Sequence, residues 1–81
     1  MTLKEFKVGQ SGRILEVGGA GELRLRLLEM GLIPGTVVKV KKAAPLGDPI
    51  ELLLRGYVLS LRLTDADKIL MVLLKKESNL C

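Results

Sequence analysis

The sequence predicts a small, mainly β domain: a barrel with one helix inserted early in the chain. Three observations lead to this fold class. The chain has 81 residues, which is enough for one small domain. Its second half is made of short runs rich in Val, Leu and Ile, separated by turn residues. The stretch Met30-Gly31-Leu32-Ile33-Pro34-Gly35 combines the features of a helix end with those of a strand start.

The composition predicts an aliphatic core and more apolar side chains than that core can bury. Hydrophobic residues make up 48% of the chain and aromatic residues 2%, so the core is built from Leu, Val and Ile. A chain this short has little interior, and some of this surface is expected to stay exposed as a partner surface or oligomer contact. The net charge of +4 is a weak basic bias, and with so few aromatics we expect no nucleic acid partner.

Catalytic and metal-binding groups are scarce in this sequence. It has no His and a single cysteine, Cys81, the last residue, so no intramolecular disulfide is expected and a reducing compartment is indicated. We expect structural roles for Asp48, Glu51, Asp65 and Asp67, with Asp48 satisfying turn backbone and Asp65 or Asp67 capping a helical turn. The sequence therefore predicts no enzyme, no cofactor and no metal site.

The sequence also carries no export or membrane signal. The N-terminal residues 1–7 carry charges where a signal peptide needs its apolar segment. The apolar run Ile69 to Leu74 is far shorter than the roughly 20 residues of a spanning helix. We expect a cytoplasmic protein without direct membrane insertion.

The first elements are a short helical turn and a strand. Thr2 and Glu5 have capping-box spacing, which predicts one helical turn over Leu3 to Phe6. The run Ser11 to Val17 ends in Gly18-Gly19 and predicts a strand, although its alternation is too irregular to define the buried face.

The next segment fits two structures. Leu and Arg alternate from Glu22 to Leu27, as in a half-buried strand, while Leu23, Leu27 and Met30 fall on one face of a helix. Leu, Arg, Glu and Met are good helix formers, so a helix from about Gly21 to Met30 is favoured. Gly21 then lies in the first helical turn, where alanine would be tolerated.

The helix is predicted to end at a defined cap. Gly31 is expected in the left-handed conformation, and Leu32 is expected to fold back onto Leu27 as in a Schellman motif. Pro34 prevents the helix from resuming, and Gly35 supplies a bend before the next strand.

The rest of the chain is predicted to consist mainly of strands. Thr36 to Ala44 is a strand with Val38 and Val40 on one face, and a turn and hairpin follow it. The hairpin strands begin at Ile50 and Tyr57. The two strands are joined at Arg55-Gly56, and the structural turn residues of this half are Pro45, Gly47, Asp48, Pro49 and Gly56.

A single helical turn over Thr64 to Asp67 and a last strand from Ile69 to Leu74 complete the domain. Residues 1–75 are expected to form it, and residues 76–81 a polar C-terminal tail. Five short strands with an early helix describe a small, strongly bent barrel of the SH3-like kind.

A series of short motifs along the whole chain resembles the FeoA family, ferrous iron transport protein A. Single pieces such as Met-Gly-Leu are common, but their order together with Ala-Pro-x-Gly-Asp-Pro is specific. The residues that carry the resemblance are Arg26-Leu27, Met30-Gly31-Leu32, Pro34-Gly35-Thr36, Ala44-Pro45-Leu46-Gly47-Asp48-Pro49, Arg55-Gly56-Tyr57, Leu61-Arg62, Ala66 and Ile69.

The resemblance implies an SH3-like barrel that assists a large membrane protein of bacterial ferrous iron uptake. That partner, ferrous iron transport protein B, carries a GTP-binding domain and moves Fe(II), and the small protein is implied to act on it by contact. Transition-metal binding is also implied by the family, although the residues present supply no site. Two alternatives remain: a stand-alone metal-responsive module, which Fe(II) or Mn(II) would stabilise, and an RNA-associated barrel, whose affinity would fall steeply with salt.

The predicted partner surface is the outer face of the helix and its exit loop. If Leu23, Leu27 and Met30 face the barrel, other apolar side chains of this segment point elsewhere, next to arginines. An apolar centre with an arginine rim is typical of an interface, and a homo-oligomer contact is the alternative. The predicted partner-binding residues are Arg24, Leu25, Arg26, Leu28, Leu32 and Ile33.

Overall fold

The computed structural model describes residues 1–74; the predicted polar tail and Cys81 lie outside the described residues. Five strands form one antiparallel sheet in the order β4-β3-β2-β1-β5. The predicted fold class, mainly β with one helix inserted early, is confirmed. The elements are a 3-10 turn (Leu3–Glu5), β1 (Ser11–Val17), α1 (Gly21–Glu29), β2 (Val37–Ala43), β3 (Ile50–Leu54), β4 (Tyr57–Leu61), α2 (Leu63–Ala66) and β5 (Ile69–Leu74).

Two irregularities interrupt the sheet ladders. One lies in β1 between Ile14 and Glu16, where it pairs with β5, and the other in β2 between Val40 and Lys42, where it pairs with β3. An extra residue in one strand bends it and increases its twist. It also explains the irregular alternation of β1, because side chains on either side of the bulge no longer follow the period of two.

The inner surface of the sheet buries one cluster of aliphatic side chains. Val38 and Val40 of β2 are buried, as their alternation with lysine predicts. In β3, Ile50, Leu52 and Leu54 are buried in the same way. The remaining buried hydrophobic residues are Leu3, Phe6, Ile14, Val17, Leu27, Leu32, Leu61, Ala66, Ile69 and Met71.

The segment from Glu22 to Leu27, which fitted both a strand and a helix, is helical, and α1 ends with Schellman geometry. The Leu32 N–H donates to the Leu27 carbonyl at 3.2 Å, and the Gly31 N–H donates to the Leu28 carbonyl at 3.0 Å. Gly31 has a φ of 100°, a region that glycine enters without strain. The chain therefore leaves α1 through a fixed turn, which sets the direction in which the exit loop runs.

The expectation for Gly21 was wrong. It is the first residue of α1, but its φ is 58°, because the chain turns there from the extended Ala20 into the helix. A side chain at Gly21 would adopt a left-handed backbone, so alanine is not tolerated as an ordinary first-turn residue would be. The spacing of apolar residues locates the helix but does not reveal the left-handed backbone conformation of its first residue.

The cap of α2 comes from a distant loop. This helix begins at Leu63, one residue before the predicted turn, and the Leu63 N–H donates to Asp48 Oδ1 at 3.0 Å. Asp48 thus binds the backbone of α2 and not that of its own turn, and the expected caps from Asp65 or Asp67 were wrong. The loop that presents Asp48 is itself held by a Gly47 N–H to Ala44 carbonyl bond of 2.7 Å.

We expect Asp48→Ala to lower the free energy of unfolding by about 1 kcal/mol, the usual contribution of a helix-capping oxygen. Asp48→Asn is the matched control, because it keeps an acceptor at the same position and should cost less. Urea unfolding of the two variants measures the difference. Equal losses would show that the Leu63 bond contributes nothing to stability.

Candidate protein-interaction site

The helix α1 presents two different faces. Leu27 is fully buried, whereas Leu25, two residues before it on the opposite side of the helix, is 56% exposed. Leu23, Leu28 and Met30 are partly buried and pack against the core. One face of the helix therefore packs against the barrel, and the side chain of Leu25 on the opposite face is exposed to solvent.

The structure places five of the six predicted partner-binding residues at the surface. Leu25 and Ile33 are exposed, Leu28 is half-buried, and Arg24 and Arg26 are exposed beside them. We call this surface the helix patch: Leu25, Leu28 and Ile33 with a rim of Arg24 and Arg26.

Leu32 does not belong to the helix patch, and its assignment to the partner surface is corrected. Its side chain has 0% exposure and lies in the same buried cluster as Leu27. The physical reason is the cap itself, since the residue after the left-handed glycine folds back onto the last helical turn. A residue that completes the cap is therefore not available to a partner.

The rim of the helix patch has one fixed arginine. Arg24 Nε donates to the Val17 carbonyl at 3.1 Å, which ties the helix to the end of β1. Arg26 is exposed on the same helix, and so are Glu22 and Glu29. The arginine rim therefore has acidic neighbours on the same helix, and exposed charges of both signs next to apolar side chains are typical of a protein-contact surface.

The end of α1 is held by the β3–β4 hairpin. The Tyr57 hydroxyl donates to the Met30 carbonyl at 2.6 Å, a group that the helix itself leaves without a partner. The Arg55 guanidinium donates to Thr36 Oγ1 at 3.2 Å. These two contacts fix the loop between α1 and β2, and with it the position of Ile33.

The hairpin turn explains how Tyr57 reaches the helix. Arg55 and Gly56 both have positive φ values, 50° and 84°, as in a tight two-residue turn that matches strand twist. Tyr57 follows at once and is 41% exposed, with its hydroxyl directed at the loop. The local sequence around Tyr57 predicts a strand start but not this contact. The last carbonyl groups of a helix need hydrogen-bond donors, so a donor near Met30 could be expected from the sequence. Nothing in the local sequence indicates which strand supplies that donor.

Two further features bear on chemistry. Within residues 1–74, no group of three or more His, Cys, Asp or Glu side chains is placed to hold a metal ion. Among the same residues no helix is both long and apolar enough to cross a membrane. The described surface here consists of a helix end held by two hydrogen bonds, exposed apolar side chains and charged neighbours.

The fold is a small SH3-like barrel in which α1 and its exit loop expose apolar side chains. A family model described as the FeoA domain matches residues 1–73. The chain belongs to the FeoA family.

Relatives of known sequence and structure agree with this assignment. An Fe(2+) transport protein A/Fe(2+) transporter FeoB fusion protein of Porphyromonas gingivalis is 42% identical over 69 residues, which cover 85% of this chain and 8% of that protein. The FeoA-like protein from Clostridium acetobutylicum has a TM-score of 0.88 and 32% identity, covering 99% of this chain and 93% of the other.

A more distant structure supports the fold alone. FeoA of Stenotrophomonas maltophilia, solved with zinc and described as a prokaryotic SH3 domain protein, has a TM-score of 0.78. It is 24% identical, and the match covers 89% of each chain.

Proposed function

We propose that this protein is an accessory protein of bacterial ferrous iron uptake and acts by contact with the cytoplasmic part of the transporter FeoB. The observation that carries the proposal is the relative in which the two proteins are one polypeptide. The chain spans about 8% of that relative's length, so the transporter itself lies outside the matched region. Fusion keeps two domains at high effective concentration, which favours a weak contact between them.

The helix patch is the surface that we propose for this contact. Leu25, in α1, is 56% exposed. Ile33 is 40% exposed and lies on the exit loop, whose ends are held by Tyr57 and Arg55. A surface that is rigid before binding loses little conformational entropy on association. Apolar side chains at the centre supply the surface buried in the contact, and the arginines at the rim set the orientation of the partner.

The test is a set of single substitutions, Leu25→Ser, Leu28→Ser and Ile33→Ser, measured by calorimetry against the cytoplasmic domain of FeoB. We expect Leu25→Ser to weaken binding at least about tenfold, because a buried Leu contributes about 1.5 to 3 kcal/mol. Leu70→Ser on β5 is the matched control, since Leu70 is a comparably exposed leucine (39%) outside the helix patch.

Folding and oligomeric state must be measured on the same samples. Loss of binding with an unchanged melting temperature and an unchanged mass in solution supports the helix patch as the partner surface. A change in mass instead would assign the patch to self-association. Unchanged binding in all three variants would exclude it as the contact.

A further inference from the structure

The two edges of the sheet are not equivalent. The β5 edge is covered by the N-terminal segment, because Thr2 bridges Leu70 and the Met71 N–H donates to the Met1 carbonyl at 2.8 Å. At the other end of the strand order, β4 pairs with β3, and no further strand of residues 1–74 lies beyond it. The β4 edge is therefore open within the described part of the chain.

The β4 strand lacks the features that usually protect an open edge. Natural proteins place lysine, proline or a bulge on such strands to prevent pairing with other chains. Tyr57–Leu61 has the sequence YVLSL, with no charged residue and no proline. Its five pairs with β3, from Ile50 opposite Leu61 to Leu54 opposite Tyr57, run in one unbroken register.

The hairpin geometry identifies the backbone groups that this edge offers. The closing pair of a two-residue turn, here Leu54 and Tyr57, exchanges hydrogen bonds across the hairpin. Bonded and non-bonded pairs alternate along an antiparallel ladder. The N–H and C=O groups of Val58 and Ser60 consequently point away from β3, and both residues are exposed.

We propose that the β4 edge binds an extended segment of the cytoplasmic part of FeoB as a sixth strand; this inference rests on the proposed function. An alternating row of backbone donors and acceptors is complementary to another β-strand, which is how exposed sheet edges recognise peptides. On the outer face Val58 lies opposite Leu53, and both are exposed. The segment should therefore place apolar side chains beside them.

The edge begins beside the end of α1, the helix that carries most of the helix patch. Tyr57, the first residue of β4, binds the Met30 carbonyl at the end of α1. A segment that pairs with β4 thus passes directly to the helix end and its exit loop, and one partner covers both surfaces. A specific interface buries about 800 Å² on each partner, so we expect the contact to include the helix patch as well as the edge.

Charge favours a transporter segment over a second copy of this chain. Antiparallel pairing of two β4 strands about Leu59 would set Arg62 of each copy opposite Gly56 of the other, next to Arg55 in sequence. Each copy also carries a net charge of +4, so the two chains repel each other. A partner strand with a carboxylate at the end that meets Arg62 is attracted instead.

Amide hydrogen exchange of the full chain, followed by NMR with and without the cytoplasmic region of FeoB, tests the proposal without any substitution. We expect the amides of Val58 and Ser60 to exchange at least about tenfold more slowly in the complex, since a new ladder protects them. The Leu59 amide, already bonded to β3, should change less. The Leu46 amide, in the loop at the other end of β3, is the control and should be unaffected.

The outcomes separate the inference from the proposed function. A complex in which Val58 and Ser60 exchange as fast as in the free chain overturns the strand pairing and leaves the FeoB contact standing. Protection in the free chain that grows with its concentration overturns it in favour of a second copy. Absence of any complex overturns the proposed function, and the FeoB strand with it.

A pair of variants adds a second readout. Ser60→Pro removes an outward N–H at an edge position where proline is accommodated, and Ser60→Ala keeps that N–H. We expect at least about tenfold weaker binding for the proline variant and unchanged binding for the alanine variant. Equal binding of two variants with the same melting temperature overturns the pairing at this residue.

Discussion

Gly31→Ala is expected to lower the free energy of unfolding by about 3 kcal/mol. A left-handed backbone costs an ordinary residue about 1 to 2 kcal/mol, and Gly31 has a φ of 100°. The new methyl group would also meet the Tyr57 hydroxyl, which donates to the Met30 carbonyl. The variant must therefore weaken or break that bond, at a cost of about another 1 kcal/mol.

Two controls separate the causes of this loss in urea unfolding experiments. Gly21→Ala has left-handed strain as well, but a methyl group there meets nothing within 4 Å, so it should cost about 1 to 2 kcal/mol. In a Tyr57→Phe background the hydroxyl is gone, and Gly31→Ala should cost less than in the parent chain. Equal costs in the two backgrounds would show that the Tyr57 contact is unimportant.

Leu32→Ala is expected to lower the free energy of unfolding by about 2 to 5 kcal/mol, the range for truncating a fully buried leucine. Leu32 is 0% exposed and belongs to the same buried cluster as Leu27, so the variant leaves a cavity under the helix cap. The loss should appear as a lower midpoint in urea or as a lower melting temperature.

Ile33→Ala is the neighbouring control for this experiment. Ile33 is 40% exposed, and surface substitutions usually change stability by less than about 0.5 kcal/mol. We therefore expect Leu32→Ala to destabilise the fold and Ile33→Ala, on the proposed partner surface, to leave stability nearly unchanged. Similar stability losses at the two positions would mean that the exit loop is packed differently from the structure described above.

The helix patch was partly accessible to sequence reasoning. Helical periodicity places Leu25 away from the face that contains Leu27, and the exposed fractions of the two side chains agree with that division. The same reasoning failed for Leu32, which was given both to the cap and to the partner surface. One side chain cannot fill both places, and burial in the cap excludes it from the surface.

Local signals determined most of the architecture. Alternating apolar residues fixed β2 and β3, and the Gly31 and Pro34 pair fixed the end of α1. Arg55-Gly56 fixed the hairpin turn. These signals work because each depends on residues a few positions apart, through steric limits on the backbone and the repeat of the element.

Tertiary structure alone decided which distant groups meet. Tyr57 binds Met30 across 27 residues of sequence, and Asp48 caps α2 across 15. The bulge in β1 and, within residues 1–74, the open edge of β4 likewise follow from how strands pair, not from their own residues. Such contacts depend on register and on which strands become neighbours, and these are set by the packing of the whole core, which no local pattern encodes.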